Sequence, residues 1–164
     1  MSDVPVDEGL FSWPDEPRLI GSMCAACATT TFPAQESCPR CTRTDVRPVP
    51  LATTGRLWSW TVQAFEPKPP YLADGPFEPY GVGYVELATQ DRDGAVLVES
   101  RLTEASPGRL EIGAEMTLTF VPVRRDAAGN QVVTFAFAPE ADRRPAWRSP
   151  SSESASTPSA ATPR

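Results

Sequence analysis

The sequence predicts a mainly β protein: a small four-cysteine metal ribbon, then one five-stranded β-domain, then a disordered C-terminal tail. Three observations predict it. All four cysteines fall in two C-x2-C pairs, Cys24/Cys27 and Cys38/Cys41, separated by ten residues. From Val49 onward, short segments alternate apolar and polar residues between turn-forming residues, a pattern that strands make and helices do not. Residues 140–164 consist mostly of Pro, Ser, Ala, Thr and charged residues, and a segment so poor in apolar side chains cannot bury enough surface to offset its ordering entropy.

The cysteines carry the most specific chemistry. Each C-x2-C makes a tight knuckle that aims both sulfurs at one ion, and the ten residues between them turn back as a short hairpin, so the two pairs close a tetrahedral S4 site. Zinc is the first choice; a mononuclear iron site of rubredoxin type uses the same four ligands. Two disulfides or four reduced thiols are the competing readings, but residues 1–21 show no secretory pattern, and a cytoplasmic protein does not hold disulfides easily. Four protein ligands leave no open position, so the ion is structural. One departure stands out: a glycine often follows the second cysteine of a knuckle, whereas here Ala28 and Thr42 do.

Composition narrows the function. An apolar share of 40 % suffices for a modest core, and no run reaches the roughly 18 apolar residues of a membrane span. The formal charge of −6 and the single lysine, Lys68, oppose nucleic-acid binding, which rests on a cationic surface. The chain contains no histidine, so it offers no histidine base and no Ser-His-Asp or Cys-His arrangement. With every thiol committed to metal, no cysteine remains as a nucleophile. These absences favour a binding or subunit role over an activity of the chain alone.

In chain order, residues 1–17 form an N-terminal arm broken by Pro5, Pro14 and Pro17, expected to be loosely ordered and to lay Leu10, Phe11 and Trp13 on a neighbouring surface. The ribbon is expected over 18–47, with Arg18–Met23 and Thr29–Phe32 as strands and Pro33–Ser37 as turn. The β-domain is expected over 48–139. Its strands are Gly55–Phe65, with Trp58, Trp60, Val62 and Ala64 on one face; Gly81–Leu87; Ala95–Leu102; Glu115–Arg124; and Gln131–Ala138. Gly81 and Gly83 allow a bulge or a close backbone approach. Asp91–Gly94 and Asp126–Asn130 read as turns, and Thr103–Gly113 as a connection with room for a short helical turn. Five strands with regular turns suggest a barrel or a sandwich; five is the OB-fold number, and that fold carries a helix or long loop between its third and fourth strands.

The loop Glu66–Tyr80 holds five prolines in fifteen residues together with Tyr71, Phe77 and Tyr80. Prolines reduce the entropy lost on docking, and aromatics anchor interfaces, so Lys68, Tyr71, Phe77 and Tyr80 are the candidate partner-facing or acyl-CoA-facing residues. The competing reading makes the aromatics a cap on one end of the core. In the tail, Trp147 among Arg143, Arg144 and Arg148 reads as a solvated aromatic.

The ribbon at Cys24, Cys27, Cys38 and Cys41, the run GRLWSWT at Gly55–Thr61, PYGVGYVEL at Pro79–Leu87, Ile112–Gly113 and FAFAP at Phe135–Pro139 together resemble the domain-of-unknown-function thirty-five family. The resemblance covers roughly residues 18–139 and implies a rubredoxin-like zinc ribbon joined to an OB-fold. It further implies an accessory subunit of a thiolase-like acyl-CoA enzyme, a thiolase or a steroid side-chain retro-aldolase, that completes the complex and its acyl-CoA entrance. A MaoC-type enoyl-CoA hydratase is the alternative partner. Two readings of other classes compete. One is a single-stranded nucleic-acid binder stacking bases on Trp58, Trp60 and Tyr84; the other is a free-standing enzyme using a carboxylate such as Glu86 or Glu99.

Overall fold

The computed structural model describes residues 3–69, 74–90 and 94–140. Two sheets account for nearly all of the regular structure. A three-stranded ribbon sheet places β2 (Ile20–Cys24) between β3 (Thr30–Thr31) and β4 (Val46–Pro50). The third strand runs beyond residue 47, the end expected for the ribbon, because Cys24 to Ile20 pair residue by residue with Val46 to Pro50. β1 (Asp3–Pro5) precedes them and joins the other sheet.

That second sheet closes on itself as the five-stranded OB-fold barrel. β5 (Thr54–Gln63) pairs antiparallel with β6 (Tyr80–Ala88), and β6 with β7 (Ala95–Leu102). β7 pairs in parallel with β9 (Gln131–Pro139) through Arg101↔Ala136 and Leu102↔Phe137. β9 returns to β8 (Glu115–Arg125), and β8 closes the ring on β5 at Thr54↔Thr117 and Arg56↔Glu115. Closure removes the free edges that an open sheet would expose. A single 3-10 turn, Pro107–Arg109, fills the β7–β8 connection where a short helical turn was expected. Glu104 organises it: Oε1 accepts the amides of Ala105 and Ser106 at 2.8 and 2.7 Å, and Oε2 meets Arg109 Nε at 3.0 Å.

Alternation within β6 and β7 is regular. Val85 and Leu87 face the interior with Val96, Val98 and Leu102, while Tyr84, Glu86, Leu97 and Glu99 face out. β5 departs from the expected faces. A bulge between Leu57 and Ser59 sets two residues against one on β6 and reverses the parity of the strand. Leu57 and Trp60 therefore both lie on the core side, and Trp58, expected on the face of Trp60, points outward. The bulge sits on β5 and not on the glycine-bearing β6. Gly81 and Gly83 serve the close approach instead: a Cβ on Gly83 would stand 2.8 Å from the Ser59 carbonyl oxygen, and one on Gly81 would collide with the carbonyl oxygen of Glu104.

The arm is ordered, contrary to the looseness its prolines suggested. Asp3–Pro5 pairs in parallel with Gln131–Val133, and Trp13 Nε1 donates to the Asp3 carbonyl at 3.1 Å. Phe11 is only 2 % exposed and sits in the core, its ring 4.9 Å from Phe120 and 6.3 Å from Phe135. Leu19 and Leu51, which flank the ribbon and are bonded through Leu51 N–H to Leu19 O at 2.9 Å, belong to the same core. Phe32 of the ribbon packs edge-on against Phe135 of the barrel at 5.5 Å. Arm, ribbon and barrel thus share one apolar cluster. The tail expected over 140–164 lies outside the described residues except for Glu140, and the turn expected at Asp91–Gly94 does so except for Gly94.

Candidate functional site

The two knuckles are built alike. In the first, Cys24 N–H donates to Thr29 O at 3.0 Å, and Ala28 N–H donates back to Cys24 O at 2.9 Å. In the second, Cys38 N–H donates to Arg43 O at 2.8 Å, and Thr42 N–H to Cys38 O at 2.9 Å. The residue after the second cysteine must be left-handed for the chain to turn back over the sulfurs. Ala28 (φ 56°) and Thr42 (φ 61°) adopt that conformation although neither is glycine. The departure seen in the sequence is therefore one of residue type and not of backbone geometry. Its cost is the steric penalty of a Cβ in the left-handed region, larger for the β-branched Thr42; the Thr42 hydroxyl donates to Cys41 O at 2.7 Å.

The sulfurs converge. Cys24 Sγ lies 3.6 Å from Cys41 Sγ, Cys27 Sγ lies 3.5 Å from Cys38 Sγ, and all four fall within 4.8 Å of one another. A tetrahedron with metal–sulfur bonds of about 2.3 Å has sulfur–sulfur edges of about 3.8 Å, so the cluster fits one ion with modest contraction or expansion of its edges. All four cysteines are free of disulfides. Cys24 and Cys38 are buried, and Cys27 and Cys41 half-buried, which shields the site without sealing it. As thiols, Cys27 and Cys41 hold their protons unequally. The hydroxyl and amide of Thr29 hold Cys27 down to about 6. At Cys41 a backbone bond from Arg43 favours the thiolate, but burial and the three neighbouring sulfurs outweigh it and push the thiol up to about 11. Four thiolates this close repel one another unless a cation neutralises them, so the cluster has the geometry and the charge to hold one metal ion.

The loop residues are placed less closely together. Tyr71 lies outside the described residues; Lys68 is exposed. Phe77 and Tyr80 are half-buried and meet edge-on at 6.1 Å, and the Arg101 guanidinium stacks over the Tyr80 ring at 4.0 Å. Neither aromatic belongs to the core cluster. Asp74 Oδ2 accepts the Arg125 amide at 2.6 Å and pins the loop to the end of β8. Of the residues weighed for base stacking, Trp60 packs against the core, while Trp58 and Tyr84 meet edge-on at 6.3 Å with their planes at 88°. Glu86 and Glu99, the carboxylates weighed for a free-standing enzyme, are both exposed. The sequence reading overlooked the outward turn of Trp58, which a bulge conceals from any simple alternation.

Comparison with known proteins agrees with this architecture. Residues 14–47 match the ChsH2 rubredoxin-like zinc ribbon domain, and residues 48–121 the ChsH2 C-terminal OB-fold domain. The chain is 29 % identical over 121 residues to the benzoylsuccinyl-CoA thiolase subunit BbsA of Thauera aromatica, covering 74 % of this chain and 76 % of that one. It is 34 % identical over 104 residues to a probable enoyl-CoA hydratase alpha subunit of Thermomonospora curvata, covering 63 % of this chain but only 30 % of that longer protein. Among solved structures, the Ltp2-ChsH2(DUF35) aldolase matches with a TM-score of 0.53 and 30 % identity, covering 74 % of this chain and 84 % of the other. No helix among the described residues is long and apolar enough to cross a membrane. With its four-sulfur ribbon followed by a closed five-stranded barrel, the chain belongs to the ChsH2-like DUF35 family.

Proposed function

We propose that this chain is a non-catalytic, zinc-binding subunit of a thiolase-like acyl-CoA enzyme, a thiolase or a steroid side-chain retro-aldolase, working in the cytoplasm. The observation that carries the proposal is an inventory: the chain has no histidine, and its four thiols converge on a single structural metal site. An acyl-transfer or aldol reaction draws above all on a histidine base or a cysteine nucleophile, and this chain has no histidine and no cysteine outside the cluster, so in this reading the partner supplies them. The names of the relatives, a benzoylsuccinyl-CoA thiolase subunit and the Ltp2-ChsH2(DUF35) aldolase, point the same way. Zinc suits the S4 set as a redox-silent structural ion, which the chain would hold through Cys24, Cys27, Cys38 and Cys41.

In this reading the Glu66–Tyr80 loop, with Lys68, Tyr71, Phe77 and Tyr80, borders the acyl-CoA entrance of the complex. The half-burial of Phe77 and Tyr80 outside the core supports an anchoring role over a capping one. The test is co-expression with the thiolase-like enzyme of the same genome, followed by isolation of the complex and assay of each component. The complex should turn over acyl-CoA, and this chain alone should not. Phe77→Ala should leave the isolated fold nearly as stable and weaken the complex by about 2 kcal/mol. A loss of about 3–5 kcal/mol in stability with unchanged association would restore the capping reading. The hydratase relative favours a second partner, a MaoC-type enoyl-CoA hydratase, and the same co-purification with that enzyme as bait separates the two.

A further inference from the structure

One surface of the barrel is apolar without being core. On the outer face of β5, β6 and β7, Trp58 is 55 % exposed, Tyr84 stands beside it in the open, and Leu97 is exposed on β7 opposite Glu86. Ile112, on the connection into β8, is 73 % exposed. The placement is built. The bulge at Leu57/Ser59 turns Trp58 outward, and its ring rests edge-on against Tyr84. Tyr84 is fixed in turn by its hydroxyl, which donates to Glu99 Oε2 at 3.0 Å. Ile112 is held next to the bulge by two backbone bonds, Gly113 N–H to Leu57 O at 2.7 Å and Leu57 N–H to Ala114 O at 2.9 Å. Bulges re-aim side chains where a sheet meets its ligand, and a preset tryptophan supported by a tyrosine is the composition of an interface anchor.

The rim selects the occupant. Among the described residues, Glu86, Glu99, Glu111 and Glu115 are exposed on or next to these strands; Arg56 is exposed opposite Glu86 and Glu115, and Arg101 of β7 is half-buried over Tyr80, so acids outnumber cations on this face. A second copy of the chain would set carboxylates against carboxylates, in a protein already at −6. The same rim complements an apolar patch edged by lysine and arginine on a different protein. The face is also continuous with the aromatic loop: Tyr80, Val82 and Tyr84 point outward in alternation along β6, so the Phe77–Tyr80 pair and the Trp58–Tyr84 pair lie about 13 Å apart on one strand face.

We propose that the outer face of β5–β6–β7, anchored by Trp58, docks a basic-rimmed apolar patch of the thiolase-like partner enzyme. The inference rests on the subunit reading above and moves the centre of the interface from the loop onto the barrel wall. Trp58 fills the central contact, Tyr84 braces it, and Leu97 and Ile112 exclude water around it.

The experiment measures the affinity of the purified full-length chain for the thiolase-like enzyme of the same genome. Trp58→Ser should bind at least about 30-fold more weakly while keeping the metal content and melting temperature of the parent, because the side chain is exposed. Ile112→Ser, on a loop, repeats the test if the strand variant folds poorly and should also weaken binding. Glu86→Lys combined with Glu115→Lys should slow association and flatten its salt dependence. Unchanged affinity in both Trp58→Ser and Ile112→Ser overturns the docking face and leaves the subunit reading intact. Failure of the parent chain to bind the enzyme overturns the subunit reading itself. Sedimentation should show a monomer; a dimer abolished by Trp58→Ser would identify a second copy as the occupant and overturn the proposal. Quenching of tryptophan fluorescence by an oligothymidylate that is lost in Trp58→Ser would do the same in favour of nucleic acid.

Discussion

Replacing Phe11 by alanine should destabilise the whole molecule by about 3–5 kcal/mol, the cost of emptying a large aromatic site that cannot collapse. The magnitude follows from the surroundings of the ring. Phe11 is 2 % exposed, so its removal forfeits nearly the full burial of a phenyl group, about 1.5–3 kcal/mol. It also stands edge-on to Trp13 at 6.2 Å and to Phe135 at 6.3 Å, and each such pair adds about 0.5–1.5 kcal/mol. An arm that could peel away would limit the loss to its own docking energy. This arm is tied at both ends, by the β1–β9 pairing at Asp3–Pro5 and by the Phe11↔Leu19 bridge that leads into the ribbon. Thermal unfolding should be followed by tryptophan fluorescence, with metal release read by a colorimetric chelator in the same sample. At about 2–4 °C per kcal/mol for a chain of this size, the midpoint should fall by roughly 6–20 °C. Metal release should move with it, since Leu19 and Leu51 join ribbon and barrel in one core. A midpoint within about 2 °C of the parent would refute the reasoning and make the arm an ornament on the barrel.

Cys38→Ser should abolish stoichiometric metal binding and unfold the ribbon, whose hairpin of Thr30–Thr31 has too little core to stand alone; full metal content in that variant would contradict the S4 assignment. Thr42→Gly should stabilise the protein by about 1 kcal/mol, because glycine relieves a left-handed β-branched residue, measured as a raised midpoint with unchanged metal content. For pH, the Ser106 amide bond and the Arg109 pairing hold the Glu104 carboxyl below its ordinary value of 4.5. A depressed carboxylate contributes stability that is complete above its unfolded pKa and is lost as pH falls through its folded one. The parent should therefore lose stability on acidification below about pH 4.5, and Glu104→Gln should be less stable at neutral pH and less sensitive to acid.

Much of the architecture was legible in the residues because it is set by local rules. The C-x2-C spacing dictates a knuckle whatever surrounds it, so the metal cluster could be assigned from four positions. Period-two alternation survives in β6 and β7, and the ends of β6, β7 and β9 lie within a residue or two of those expected. The inventory of absent chemistry, no histidine and no spare thiol, is a property of the sequence alone.

What only the tertiary structure decided has a common physical cause: contacts between residues remote in the chain override local preference. Prolines made residues 1–17 look loose, yet Phe11 is buried because Phe120 and Phe135 supply the apolar walls around it. Alternation put Trp58 beside Trp60, yet the β5–β6 register absorbs an extra residue there and turns Trp58 to solvent. Ala28 and Thr42 looked wrong for a knuckle, yet the backbone takes the left-handed turn because four sulfurs converging on one point over-determine it. Spacing and period are carried by neighbours in sequence, whereas burial, bulges and strain are settled by partners that the sequence places tens of residues away.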